Sequence, residues 1–400
     1  MRLIEMKIAL AHKRLDLRGG TERVFYRTAA GLRDRGHDIH LFCQKFRTAP
    51  PPGVVAHRVP GLSWPRTARL LTFNIFAPLT IRHCECDVVM SFDRLIKQDL
   101  FRSGGGPHKT FIKKMTRGAP WRSLWYRLSP YHRLMLAIEK RQVSRGSRRI
   151  VAVCEQTKRE LIEAYGVSEK KIVVILNGVD HERFTPGRRH DAGERIRRKF
   201  GIQAKDRVVL FVGSGFRRKG LARVLRLWQE QPSPDAYLLV VGNDSYLAAY
   251  RSAWRESRQV IFTGLKTNIQ DYYAAADVLV LPSIQEAFGN VVLEAFASGL
   301  PVITVAGVGA FDKVTGDLRF GILENPDDSA ELKAKVSFFL DPVRWGSLSR
   351  EARKLAEQYS WSSYLDQLEE TLHSLHAQSA TSPVTAEVAL PTFSGTSRTR

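Results

Sequence analysis

Short apolar runs alternate with longer amphipathic stretches along this chain, in two successive series. No other feature narrows the fold as far, because strands separated by helical stretches build a parallel sheet covered by helices on both faces. The first series reads as strands at 7–12, 38–43, 54–59, 87–92, 149–153 and 171–176, with helices at 20–35 and 157–165. The helix at 20–35 gathers Val24, Phe25, Thr28, Ala29 and Leu32 on one face. The second series has strands at 208–212, 237–241, 260–263, 278–281 and 301–305, separated by helical patterns at 221–229, 246–255, 268–275 and 291–298. Several strands are apolar without alternation, as strands buried on both faces are. The expected class is α/β, with two doubly wound domains facing across a cleft. The first covers residues 1–182 and the second 183–376, helical from 328 onward, with a linker near 180–190 in the polar stretch 181–198. Residues 377–400 are Ser, Thr, Ala and Pro without periodicity and are expected to be a disordered tail. A length of 400 residues suits two cores rather than one.

Charge separates the halves. Residues 1–150 hold 30 Lys/Arg and 10 Asp/Glu, a net of +20; residues 151–400 hold 32 and 30, a net of +2. A one-sided basic domain implies an acidic partner: nucleic acid, anionic lipid headgroups or a phosphorylated substrate. The segment 109–149 mixes Lys113, Lys114, Arg117, Arg122, Arg127 and Arg133 with Phe111, Trp121, Trp125, Tyr126 and Tyr131. That mixture suits a lipid interface, a nucleic acid track, or simply a solvated helical face over core aromatics. Four cysteines make no disulfide framework, and Cys84 and Cys86 are too close for a metal knuckle and lack a second cysteine pair, so no metal site is expected. The apolar start, Ile8 to Ala11, runs into charge and does not read as a signal peptide. The longest apolar run, 70–81, is too short to span a bilayer. A cytoplasmic protein, peripheral on the membrane's inner face, is the expectation.

Ligands of open parallel sheets bind outside the carboxyl ends of the strands, so the chemistry is expected in the loops that follow them. Arg18-Gly19-Gly20-Thr21-Glu22 follows the first strand and opens a helix. Its glycines would let backbone N–H groups approach a phosphate, or they make only a tight turn. Gly213-Ser214-Gly215-Phe216-Arg217-Arg218-Lys219-Gly220 puts three cations at a strand end, which suits a pyrophosphate or a solvated basic turn. It is not a Walker A loop, because Leu221 follows Gly220. In the stretch from Glu286 to Ala295, two glutamates stand eight residues apart: Glu286 in a loop and Glu294 on an otherwise apolar helix face. A buried carboxylate needs hydrogen-bond donors, and sugar or ribose hydroxyls would serve, as would partners within the core.

These residues resemble the retaining GT-B glycosyltransferases of family 4, group 1. The family pattern E-x-FG-x-x-x-LEA-x-A-x-G-x-PVI is met by Glu286, Phe288-Gly289, Leu293-Glu294-Ala295, Ala297, Gly299 and Pro301-Val302-Ile303. Ile175-Leu176-Asn177-Gly178-Val179-Asp180 with Phe184 resembles the family's interdomain phrase, and Gly213 with Arg218-Lys219-Gly220 its donor-phosphate loop. The resemblance spans about residues 6–375. Residues 98–108 and 128–141 are similar to the branch that adds glucose to heptose in the lipopolysaccharide core. The resemblance implies that Arg218 and Lys219 hold the donor diphosphate, and that Gly19, Gly20 and Gly213 lie against it. It implies that Glu294 binds ribose, and that Glu286 with Phe288, Gly289 and Asn290 holds the sugar. Leu265 and Lys266 would frame the base, and His108 would stand near the anomeric carbon. The loop 306–316 departs from the family's Gly-Gly-x-x-Glu pattern.

The implied reaction moves a hexose, glucose for preference, from a nucleotide sugar such as UDP-glucose to a lipid-linked saccharide at an anionic membrane surface. It needs no cofactor. The chain contains no Asp-x-Asp, so Arg218, Lys219 and helix N-termini would replace a metal ion at the leaving diphosphate. A nucleotide-sugar epimerase or hydrolase on the same fold is the alternative. A nucleic-acid-binding protein is a third reading, and the Glu286/Glu294 motif beside Arg218-Lys219 argues against it.

Overall fold

The structure, a computed structural model, describes residues 5–17, 19–117, 120–230 and 235–380. Seven strands form the first sheet: β1 (Lys7–Ala11), β2 (Asp38–Cys43), β3 (Val55–Arg58), β4 (Val88–Ser91), β5 (Leu100–Ser103), β6 (Arg149–Ala152) and β7 (Ile172–Val174). They lie in the order β3-β2-β1-β4-β5-β6-β7, all parallel. The second sheet repeats the winding. Its strands β8 (Arg207–Val212), β9 (Ala236–Val241), β10 (Val260–Gly264), β11 (Val278–Leu281), β12 (Val302–Val305) and β13 (Ile322–Leu323) lie in the order β10-β9-β8-β11-β12-β13. In each sheet the order reverses beside the first strand, and such a reversal leaves a crevice at the strands' carboxyl ends.

Burial on both faces explains the unbroken apolar runs. In β1, Ile8 and Leu10 pack with Val24, Phe25 and Leu32 of the helix Gly20–Asp34, while Ala9 and Ala11 pack with Phe73 and Ala77 of the helix Arg66–Arg82. Each fully buried Leu or Ile contributes roughly 1.5–3 kcal/mol over its exposed state.

Three boundaries differ from the sequence reading. The last helix, Trp361–Ala380, packs on the first sheet rather than the second, burying Tyr364, Leu365, Leu368, Leu372 and Leu375 against Phe25 and Leu32. The Thr28 and Tyr364 hydroxyls meet at 2.9 Å, and Glu369 accepts from Arg35 at 2.6 Å and pairs with His37 at 2.9 Å. Residues 377–380 therefore end a helix rather than begin a tail; the expected tail from 381 to 400 lies outside the described residues. The polar stretch 181–198 is not an open linker. Phe184 and Ile196 enter the second core, Ala192 is buried beside them in the chain, and Arg189 and Arg197 pair with the buried Asp277. The crossing between sheets lies earlier, where Val179 bridges Ser360 of the returning chain.

Strand β5 and the helices Arg66–Arg82, His108–Thr116, Pro120–Leu128 and Pro130–Arg141 went unread in the sequence. Arg102 interrupts the apolar signal of β5. The helix Arg66–Arg82 carries Pro78 and spreads apolar residues around its circumference, leaving Leu71, Ile75, Phe76 and Leu79 exposed.

Candidate active site

A cavity of about 970 Å³ lies between the carboxyl ends of the two sheets, near the upper end of ordinary small-molecule pockets, about 300–1,000 Å³. The first sheet contributes Gly19, Gly20 and Arg23 after β1 and Arg102 at the end of β5. The second contributes Gly213, Arg218 and Lys219 after β8, Leu265 and Lys266 after β10, and residues 285–291 after β11. The loops gathered here are those that the strand pattern points to.

At the second sheet, Lys219 is buried and bonded through Nζ to Glu286 Oε2. Arg218 Nη1 lies 3.4 Å from the same oxygen and donates to the Gln285 carbonyl at 2.9 Å. Burial lowers the Lys219 pKa, and Glu286 opposes this. Burial alone would raise the Glu286 carboxyl; Lys219 and Arg218 outweigh it and hold it below the usual carboxylate range. Two cations on one carboxylate leave a net positive charge on the cavity wall, where it attracts an anion. The helix Asn290–Ala297 starts on the cavity wall, and the N–H groups of a first helical turn have no carbonyl partner within the helix. Gly289 caps it at φ +81°, and a Cβ there would come within 2.6 Å of Val308. Across the cleft, a Cβ on Gly20 would come within 3.1 Å of the Asn290 side chain, so the closeness of the two walls depends on a small residue there.

Two expected residues stand apart from this group. Glu294 does not line the cavity. It is buried one turn below, accepting from the Tyr273 hydroxyl at 2.9 Å and pairing with Arg23 at 3.3 Å. Arg23 comes from the first domain and does line the cavity; Glu294 raises its pKa further against the cost of burial. The ribose role would require Arg23 to give way to hydroxyls. His108 also lies off the cavity, although its neighbour Phe111 reaches it. Its backbone N–H donates to Glu139 at 2.8 Å, its Nε2 lies 2.9 Å from His132 Nδ1, and its ring stacks on Phe111 at 5.5 Å. Burial, Arg94 and His132 push its pKa down to about 3, so the imidazole is neutral at physiological pH. None of residues 306–316 lines the cavity.

The sequence reading gave no site role to Arg102 or Gln285, and placed Asn177 only in the interdomain phrase. Arg102 is 1% exposed, lies over the Phe92 ring at 5.4 Å and bonds to Asn177 Oδ1. Among the described residues it has no carboxylate partner, and its Nε is unpaired. Asn177 Nδ2 donates to Asn290 Oδ1 at 2.7 Å, and Gln285 Nε2 donates to the Gly105 carbonyl at 3.1 Å, so polar bridges join the two domains. A cation inside the apolar run Leu100-Phe101 was the available signal. A smaller pocket of about 180 Å³ shares Arg102 and Thr21 with the main cavity and adds His12, Glu22, Asp93 and Ser103.

On the first domain's surface, the helix Pro120–Leu128 exposes Trp121, Leu124, Trp125 and Leu128, a helical stripe. Exposed Lys113, Arg117, Arg127 and Arg133 lie nearby in the chain. Lys114 is engaged with Glu160 at 2.7 Å. No helix among the described residues is long and apolar enough to cross a membrane.

Comparison with known proteins gives the same two halves. The family model "Glycosyltransferase Family 4" matches residues 18–183, and "Glycosyl transferases group 1" matches residues 193–359. The lipopolysaccharide glucosyltransferase WaaG of Escherichia coli is 26% identical over 354 residues, covering 86% of this chain and 92% of the relative. The crystal structure of WaaG superposes with a TM-score of 0.80 at 21% identity, over 91% of this chain and 99% of that one. Anabaena HepE, solved with UDP and glucose, gives a TM-score of 0.70 at 19% identity, over 92% of this chain and all of that one, 100%.

Proposed function

We propose that this chain, which belongs to the glycosyltransferases of group 1 and family 4, moves a hexose from a UDP-sugar to a lipid-linked saccharide such as the lipopolysaccharide core, with retention at the anomeric carbon. The observation that carries the reading is the Arg218–Lys219–Glu286 group on the wall of a cavity that both sheets enclose. The similarity to a lipopolysaccharide glucosyltransferase and the UDP and glucose held by HepE support this choice of acceptor and donor classes.

The obstacle in such a reaction is negative charge growing on the departing diphosphate. Arg218 and Lys219 are held in place before the substrate arrives, so they meet that charge without reorganising. Glu286 keeps the two cations together and offers its carboxylate to the sugar beside them. On the first-domain side, Arg102, Thr21 and the smaller pocket face the acceptor. The bond from the anomeric carbon to the phosphate oxygen breaks as the bond to the acceptor oxygen forms on the same face. The acceptor's proton passes to the departing phosphate oxygen, so no dedicated base is needed. Neutral His108 acts through packing, behind Phe111. Divalent metal is not required for transfer, and no cofactor beyond the sugar nucleotide is involved. The basic first domain, with the Trp121–Trp125 stripe, holds the enzyme against the inner face of the membrane.

A melting panel with UDP-, GDP- and ADP-sugars tests the donor. A ligand at a hundred times its Kd adds about 2.7 kcal/mol of stability, and the UDP-hexoses are expected to stand out. Transfer to lipopolysaccharide lacking its outer core should proceed without added magnesium or manganese. Lys219→Ala should slow it by a factor on the order of 10²–10³. A protein that melts identically with every sugar nucleotide would overturn the reading.

A further inference from the structure

At the open edge of the first sheet, away from the cavity, three side chains bring one ligand atom each to a common point: His40, His57 and Cys84, all within 4.8 Å of one another. His40 lies in β2 and His57 in the edge strand β3, where the register pairs Phe42 with His57. Positions 40 and 42 share a face, so the two imidazoles are diagonal neighbours. The helix Arg66–Arg82 packs on that face through Phe73 and Ala77, and the turn that follows it carries Cys84 to the imidazoles. His40 Nδ1 lies 2.7 Å from His57 Nε2 and 3.0 Å from Cys84 Sγ; Cys84 Sγ lies 3.9 Å from His57 Nε2. Cys86, two residues on, is half-buried and packs beside Cys84 against the same apolar cluster. Glu85 between them has φ +49°, the one non-glycine residue of positive φ among the described residues. The other nitrogen of His40, Nε2, lies 3.0 Å from Asp38 Oδ2. A carboxylate behind an imidazole fixes its tautomer and aims its free nitrogen, as behind metal-bound histidines.

We propose that His40, His57, Cys84 and Cys86 form a tetrahedral site for one zinc ion. Spacing in the chain shows only the Cys84-Glu85-Cys86 pair; the sheet supplies the second pair from residues far away in sequence. Two imidazoles and two thiolates are a set that zinc prefers. The two thiols give up their protons as the Zn–S bonds form, the imidazoles bind through neutral nitrogens, and the completed site is uncharged. Zn–N of about 2.0–2.1 Å and Zn–S of about 2.3 Å place N···N near about 3.4 Å and N···S near about 3.5 Å. The imidazoles need part by only about 0.6–0.7 Å to reach that separation. His57, Cys84 and Cys86 are half-buried, which leaves the ion a way in. The ion would staple the edge strand and β2 to the end of the helix that exposes Leu71, Ile75, Phe76 and Leu79. The other convergence, His37, Glu369 and His373, carries no such site: His37 Nδ1 already accepts from Met6 N, and Arg35 neutralises Glu369.

The test uses the full chain and no transfer assay, so it stands or falls apart from the proposed activity. Protein purified without chelator and dialysed should carry one zinc per chain by elemental analysis. The Cys84→Ser/Cys86→Ser variant should carry none. Metal-free protein titrated with cobalt(II) should develop the visible absorption of a tetrahedral, thiolate-bound ion. Should the double variant fold poorly, thiol protection in the wild-type chain and in a single histidine variant decides. Zinc should slow thiol-reagent attack on two cysteines at least tenfold, and His57→Asn should abolish that protection. Metal-free native protein that takes up no cobalt, zinc retained by the double variant, or a Cys84–Cys86 disulfide in zinc-free native protein would each overturn the proposal.

Discussion

Glu286 and Glu294 differ in what already occupies them. Glu286 holds Lys219 and Arg218 on the cavity wall; Glu294 sits a turn below, held by Tyr273 and Arg23. Their loss should therefore be felt differently. Glu294→Gln should weaken binding of the free nucleoside diphosphate by roughly 1–3 kcal/mol, the range for a hydrogen bond to a charged group, and chiefly raise donor KM. Glu286→Gln should chiefly depress kcat, because the sugar and the cations beside it lose their orientation. Calorimetry with UDP on both variants checks the difference, and equal losses would contradict it. At this scale the strand ends pointed to the glycine and cation loops, and the family resemblance pointed to the rest. Gly19, Gly20, Gly213, Arg218, Lys219, Leu265, Lys266, Glu286, Phe288, Gly289 and Asn290 all line one cavity. The sequence was not legible for Glu294 and His108, whose partners Arg23 and His132 are set by packing between elements that no spacing encodes. Arg102 was hidden because a lone arginine in an apolar run reads as surface until the strand on either side of it is known to be central.

Among the elements, the last helix has the largest consequence. Its stripe of Leu365, Leu368, Leu372 and Leu375 follows the helical period and could be read as helix. Which sheet the stripe covers could not, since both sheets offer apolar faces. The polar contact that chooses is Glu369 with Arg35 and His37. Burial alone would raise the Glu369 pKa; Arg35 and His37 outweigh it and hold it below the usual carboxylate range. A carboxyl lowered on folding adds stability above its unfolded pKa, near about 4.3, and that stability is lost as pH falls through the folded value. Glu369→Gln should thus cost roughly 1–3 kcal/mol at neutral pH and flatten the loss of stability on acidification. Urea midpoints from about pH 7 down to about pH 2 measure both; a variant with the wild-type acid slope would refute the assignment. Of the unread helices between residues 66 and 141, Arg66–Arg82 has apolar residues around its circumference, so no single stripe marks it, while Pro120–Leu128 turns its stripe to the surface instead of the core.

For the whole molecule, the charge is as lopsided as the sequence suggests, and the structure adds where apolar surface accompanies it. Trp121, Leu124, Trp125 and Leu128 stand out from the same domain that holds a net of +20 in its first 150 residues. The protein should sediment with anionic vesicles at low salt and release as the screening length falls to about 8 Å near physiological ionic strength. Trp121→Ser/Trp125→Ser should weaken that binding without changing its salt dependence. Equal binding to neutral and anionic vesicles would discard the electrostatic part. The two-sheet architecture was readable from periodicity because each domain repeats the same winding. The crossings between domains were not, since Val179 and Ser360 meet only after both sheets exist. The return of the last helix to the first sheet also sets an order of events at the ribosome. The strands β1 to β7 emerge early, yet the helix that covers Phe25 and Leu32 is translated only after the entire second sheet. Until then the nascent first domain keeps that apolar face in water, open to chaperones, while the second sheet, whose core residues end at Tyr359, has its whole cover one helix sooner.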